Sequence, residues 1–143
     1  MEIARIIHGR DPASILTCDS QMAVRDAIGL LAGKRIGALP VMENGSVAGI
    51  FSERDVIYRM ANEGAMCLDK PVGQVMTAPA ITVERSLSAD QALALMTKRR
   101  IRHLPVVENG ELVGFVSIGD LVKSRIEEVQ REAESMRTYI QTA

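Results

Sequence analysis

Two short stretches of this chain carry residues that can meet an anion. Gly114-Phe115-Val116-Ser117-Ile118-Gly119-Asp120 repeats, 65 positions on, the pattern of Gly49-Ile50-Phe51-Ser52-Glu53-Arg54-Asp55. Each reads as a buried strand that stops at a serine, and the serine starts a helix. Ser52 and Ser117 can cap those helices, while Asp55 and Asp120 bond back to the serine amide three residues earlier. Capping alone accounts for one copy. Two copies in one register place two helix N-termini in equivalent positions, each offering amides and a positive dipole end to an anion. The two serine hydroxyls can serve a sugar or phosphate as well as the cap. Of the carboxylates, Asp120, followed by Leu121 and Val122 on a face expected to point inward, is the stronger ligand candidate.

Basic residues distinguish the copies. Arg102 and His103 stand where the first copy has Gly37 and Ala38. With Lys98, Arg99 and Arg100 they form the most basic stretch of the chain, and guanidinium forks match phosphate oxygens bidentately. Cations at a helix C-terminus account equally well for Lys98, Arg99 and Arg100. That account does not reach Arg102 and His103, which lie beyond the helix and just before a buried strand. Arg54, beside Asp55, is either a further phosphate ligand or a surface residue of the first helical turn.

Other chemistry is not encoded in any visible pattern. The chain has 143 residues and a formal net charge of −1, so it lacks a global basic field for nucleic acid. No apolar run approaches the roughly 18 residues that span a bilayer, and no secretory signal is visible, so neither membrane nor export is expected. The histidines are His8 and His103, with no nucleophile–base–orienter set around them, so no enzyme is expected. No structural metal is expected either, because no cluster has ligand spacing. Cys18 and Cys67 stand alone, as free thiols in a cytosolic protein.

The elements that position these residues recur in order. Ile3, Ile6 and Ile7 mark a short N-terminal turn, broken at Gly9 to Pro12. Ala13 to Thr17 reads as a strand. Asp19 or Ser20 caps a helix with Val24, Ala27, Ile28 and Leu31 inward, ended by Gly33. Ala38 to Met42 and Val47 to Phe51 form a hairpin about Asn44-Gly45, which tolerates the positive φ of a tight turn. A helix follows from Ser52 to about Ala61. Ala65 to Lys70 links to a helical turn at Pro71 to Met76. The second copy then runs as a strand at Ala80 to Val83 and a helix capped by Ser86 or Ser88. A hairpin of Leu104 to Val107 with Leu112 to Val116 follows, and then a long last helix. The expected fold is α/β, two β-α-β-β-α repeats packed sheet to sheet about a pseudo-twofold axis, with the outer strands parallel. The first repeat with the N-terminal segment takes residues 1–68 and the second, with the last helix, 69–143. Together they make one module, since a unit of roughly 55–60 residues buries too little apolar surface alone.

These residues resemble the CBS domain, here as a tandem pair of the small stand-alone bacterial type. The resemblance rests on Ile36-Gly37-Ala38-Leu39-Pro40-Val41 with Gly49 to Asp55, and on Ile101-Arg102-His103-Leu104-Pro105-Val106 with Gly114 to Asp120. It implies a non-catalytic sensor that binds AMP, ADP, ATP, NAD(H) or S-adenosylmethionine between the repeats and requires no other cofactor. Asp55 and Asp120 would accept ribose hydroxyls. Thr17 and Thr82 occupy the position that contacts the adenosine, although a plain β-strand threonine explains them as well. Ile36, Gly37 and Ala38, with Arg100, Arg102 and His103, complete the nucleotide-binding set. Regulatory CBS pairs also sit inside inosine monophosphate dehydrogenase, whose catalytic barrel of about 250 residues has no room here.

In the last helix Val122, Ile126, Val129, Ala133, Met136 and Ile140 form a heptad seam flanked by charges. About 20 residues of helix reach roughly 30 Å, further than one small repeat can cover. A homodimer through this helix is therefore expected, as the resemblance also implies. The rival reading is a structural dimerisation module whose clefts stay empty. The regulated partner is left open.

Overall fold

The structure of the protein, a computed structural model, describes residues 1–142. Its two halves are copies at the level of backbone pairing. β2 (Ala38–Glu43) pairs antiparallel with β3 (Ser46–Ser52), and β4 (His103–Glu108) with β5 (Glu111–Ser117). Ala38 faces Ser52 as His103 faces Ser117, and both ladders shift register at the same place, between Val41 and Met42 and between Val106 and Val107. The hairpins turn as the Asn-Gly pairs require, with φ of 52° and 80° at Asn44-Gly45 and again at Asn109-Gly110. The crossover strands are parallel, as a strand–helix–strand unit in one sheet requires: β1 (Cys18–Asp19) pairs with Val41 and Met42, and Val83 bridges to Val106.

Around each sheet lie two helices, α2 (Val24–Lys34) and α3 (Glu53–Glu63) in the first repeat, α4 (Ala89–Arg99) and α5 (Ile118–Thr142) in the second. Each repeat has its own apolar cluster. Val24, Leu39, Val41 and Phe51 centre the first; Ala92, Met96, Leu104, Val116 and Leu121 centre the second. β3 and β5 meet between the halves.

Several local readings are corrected. Ala13 to Thr17 is not a strand: Pro12–Ser14 is a 3-10 turn. The Asp11 carboxylate accepts from the Ala13 amide at 2.9 Å and the Ser14 hydroxyl donates to the Asp11 carbonyl at 2.6 Å, so turn chemistry overrides the apolar run. The strand proper is the two residues that follow Thr17. Ala80 to Val83 likewise contributes only the bridge at Val83. Nor does Gly33 end α2: Arg35 adopts the left-handed conformation there at φ 52°, and Arg100 does so after α4 at φ 54°.

The helix starts show how the halves are joined. Ser88 caps α4 in a reciprocal box with Gln91. Neither Asp19 nor Ser20 caps α2; Asp19 instead accepts from the Gln21 amide at 2.8 Å. The Val24 amide donates to the carbonyl of Lys70 at 2.9 Å, and the Ala89 amide to that of Met1 at 2.7 Å. Each repeat's first helix is thus completed by the segment that leads into the other repeat. Apolar packing follows the same exchange. Val72 and Val75 lie in the first repeat's core, while Ile3 and Ile7, grouped by sequence with the first repeat, lie in the second's. Ile3, in the short helix α1 (Ile3–Ile6), is tied there because its amide donates to the Leu87 carbonyl at 2.9 Å. The motif glycines make room for this crossing. A Cβ at Gly49 would stand 2.6 Å from the Thr77 carbonyl oxygen, and one at Gly114 would stand 3.0 Å from Ile7 Cδ1.

Candidate functional site

Each Ser-x-x-Asp segment forms the expected capping pair. The Ser52 amide donates to Asp55 Oδ2 at 2.8 Å, and the Asp55 amide points back at Ser52 Oγ at 3.4 Å. The Ser117 amide donates to Asp120 Oδ2 at 2.9 Å, and the Asp120 amide to Ser117 Oγ at 3.1 Å. In both, one carboxylate oxygen is held by the cap and the other is left for a partner. The partners differ, and with them the two clefts between the repeats.

The first cleft, about 520 Å³, lies in front of α3. From the first repeat come Gly37, Ala38, Ser52, Arg54 and Asp55; from the second, Arg99, Arg100, Arg102, His103 and Ser117. The left-handed turn at Arg100 ends α4 and sends Arg102 and His103 to this cleft's wall. Asp55 Oδ1 accepts from the Thr77 hydroxyl at 2.8 Å. Arg54 Nη1 reaches the Arg100 carbonyl at 3.4 Å, bridging the repeats. Ile50, Ile81 and Ile101 supply an apolar wall.

The second cleft, about 540 Å³, runs along β5. Ile36, Ala38, His103, Phe115 and Ser117 line it, with Arg10, Ser14 and Leu16 from the chain's beginning. Here Asp120 is engaged by a cation. Arg10 Nη2 donates to Asp120 Oδ1 at 3.2 Å and Nη1 to Oδ2 at 3.4 Å. Partial burial pushes the Asp120 carboxyl up, but the Ser117 amide and the Arg10 guanidinium outweigh it, leaving the group below its ordinary range.

His103 stands between the clefts, its ring stacked on Phe115 with centroids 5.3 Å apart and planes 15° off parallel. Burial pushes its pKa below the ordinary 6.5, and the neighbouring Arg102 cation adds to that against Asp120 and Glu53. With no ligand bound, the imidazole is therefore mostly neutral at pH 7 and forms part of the wall of both clefts.

Most of the residues singled out by sequence thus meet at the clefts, though the grouping differs from one by repeat. Arg100, Arg102 and His103 of the second repeat join Asp55 of the first. Thr17, Thr82 and Asp120 line neither cleft; Leu16 and Ile81, beside the threonines, do, and Asp120 lies behind Arg10 and Ser117 of the second. Val122 is 43% exposed and faces outward, and Leu121 alone of that pair is buried. Thr77 and Arg10 were not singled out by sequence. Thr77 follows the helical turn at Val72–Gln74 and Arg10 lies in a broken loop, so neither position carries a local signal. Among the described residues no group of three His, Cys, Asp or Glu side chains is placed to hold a metal, and no helix is long and apolar enough to cross a membrane.

The family to which this architecture belongs follows from comparison with known proteins. The sequence model of the CBS domain matches residues 10–62 and 72–127. The mitochondrial CBS domain-containing protein CBSX3 of Arabidopsis thaliana is 35% identical over 133 residues, which cover 90% of this chain and 65% of that protein. A solved CBS-domain protein from Burkholderia ambifaria is 41% identical, with a TM-score of 0.81 over 89% of this chain and 95% of the other. CBSX2, solved in complex with AMP, is 26% identical, with a TM-score of 0.76 over 88% of this chain and 96% of that one. The protein belongs to the CBS-domain family and carries two CBS repeats.

Proposed function

We propose that this chain is a non-catalytic, cytosolic regulatory module that binds an adenine nucleotide in the Asp55 cleft and passes its occupancy to a partner. The observation that carries the reading is the meeting of Asp55 and Glu53 with four arginines, Arg54, Arg99, Arg100 and Arg102, in the cleft before the N-terminus of α3. Arg54, Arg100 and Arg102 line that cleft and make no ion pair among the described residues. A ribose diol fits Asp55, with Thr77 yielding its bond. Phosphate oxygens fit the α3 amides, Arg100 and Arg102. The base lies against Ile50, Ile81 and Ile101. AMP, ADP, ATP and NAD(H) meet these demands. S-adenosylmethionine meets them less well, because its sulfonium would face unpaired guanidinium groups. The AMP complex of the related CBSX2 supports the adenosine part. Ligand between the repeats favours one relative orientation of them, and a partner reads that orientation.

Calorimetry with AMP and ATP tests this. One tight equivalent per chain is expected, with a second that is weaker or absent. No heat, and no rise in melting temperature up to millimolar nucleotide, would reject the reading.

One observation favours assembly as well. The seam of α5 does not lie on its own core: Ile126 is 53% and Met136 62% exposed. We infer a homodimer in which this helix takes part, since soluble proteins rarely leave so long an apolar stripe in water. Replacing Ile126 and Val129 together by Glu is expected to give monomers in light scattering. A double variant still dimeric, with unchanged stability, would place the contact elsewhere. Dimers formed with no nucleotide bound under any condition would favour the purely structural reading.

A further inference from the structure

The second cleft has a similar volume and is lined by the serine of the equivalent cap, but the matching carboxylate, Asp120, lies behind Arg10 and Ser117 and is already taken. Arg10 grips both oxygens of Asp120 in a forked arrangement, at 3.2 and 3.4 Å. The Ser117 amide holds Oδ2 as well, at 2.9 Å. A vicinal diol needs those same lone pairs. Asp55 presents no such obstacle, because its outer oxygen accepts only from the neutral Thr77 hydroxyl, which can rotate and share. Arg10 also differs in what it can do once displaced. Its guanidinium lines the second cleft and its side chain is about half exposed, so it can swing to another anion in the same space.

We propose that Arg10 makes the second cleft selective for ribosides that carry a phosphate. A phosphate offers Arg10 an exchange: the guanidinium leaves Asp120 for the phosphate, and Asp120 is released to the ribose hydroxyls. A riboside without phosphate offers no such exchange. It must break the ion pair with no replacement, and the cleft stays shut to it. Anchoring supports this role. Arg10 follows Ile7, which is buried in the second repeat's core, and its amide donates to the Ile7 carbonyl at 3.0 Å. The guanidinium is therefore held over Asp120 by the packing of the N-terminal segment. The inference rests on the reading of these clefts as adenosine sites, but it concerns the second cleft alone.

Calorimetry with adenosine and with AMP on the wild-type chain, Arg10→Gln and Arg10→Ala tests it. Wild type is expected to take one equivalent of adenosine but two unequal equivalents of AMP. Both variants are expected to take two equivalents of adenosine. At the second cleft, the preference for AMP over adenosine should fall by up to roughly fivefold, the upper worth of one partly exposed ion pair. The proposal is overturned if wild type takes two equivalents of adenosine. It is also overturned if AMP leaves the second cleft empty in wild type, or if neither variant takes more adenosine than wild type. If wild type takes no adenosine and the variants take one equivalent, the Arg10 proposal stands, and AMP binding at the first cleft decides the Asp55 reading separately. Adenosine bound by none of the three proteins overturns the Arg10 proposal.

Discussion

The two clefts are built from one repeated unit at one register, and they end up unlike. Beside each stands a serine cap with its aspartate at the start of a helix. The first gathers arginines from the other repeat near a carboxylate touched by a hydroxyl; the second has Arg10 and Asp11 among mostly uncharged lining residues, with Asp120 behind them clamped by the Arg10 guanidinium. The difference comes from outside the motif. Thr77 arrives on the segment leading into the second repeat, Arg10 on the segment leading into the first, and each crosses to the other half. Duplication thus preserves the cap, which is local, while the crossing segments decide what each carboxylate can still accept.

That contrast is sharpest at the carboxylates. Asp55→Ala is expected to weaken AMP binding at the first cleft by the worth of a charge-assisted bond, about 1.5–3 kcal/mol or roughly 10- to 150-fold. Asp120→Ala should leave that tight equivalent unchanged in calorimetry. Equal losses from the two variants would break the comparison. Arg102→Ala comes next. AMP affinity is expected to fall roughly tenfold and adenosine affinity hardly at all, since only the phosphate meets a guanidinium. A similar loss for both ligands would move Arg102 from the phosphate to the wall.

Smaller effects fall on stability. Asp120→Ala removes a cap and is expected to cost about 1 kcal/mol in denaturant unfolding. Because Asp120 sits below its ordinary 3.8 in the folded chain, its contribution is full above that value and is lost as pH falls through the lower folded value. Asp120→Asn should flatten that part of the acid limb. His103 acts in a higher window. Its folded pKa lies below 6.5, so the unfolded chain takes up the proton first and stability declines as pH drops from about 6.5 toward the folded value. His103→Gln should remove this slope from melting temperatures recorded across that range. An unaltered slope would show that the stacked ring does not carry it.

The repeat, the hairpins and the caps at Ser52, Ser88 and Ser117 were legible in the sequence because each is local chemistry. Asn44-Gly45 and Asn109-Gly110 accept the positive φ their turns need. Ser52 and Ser117 reach an amide three residues on, and the apolar periods mark which helix faces are buried. Where two local signals competed, sequence reading failed: Asp11-Pro12 made a turn of a stretch whose apolar residues read as a strand. A left-handed arginine, not the nearby glycine, ended α2. The pairing of clefts with cations lay beyond such reading. Arg10 and Asp120 are 110 positions apart, and Arg54 meets the Arg100 carbonyl across 46. Neither partner's neighbours name the other. Their meeting depends on how Ile3, Ile7, Val72 and Val75 bury themselves in the opposite core. Apolar burial of that kind is non-directional, so only the packed tertiary structure fixes which charged side chains it carries to which cleft.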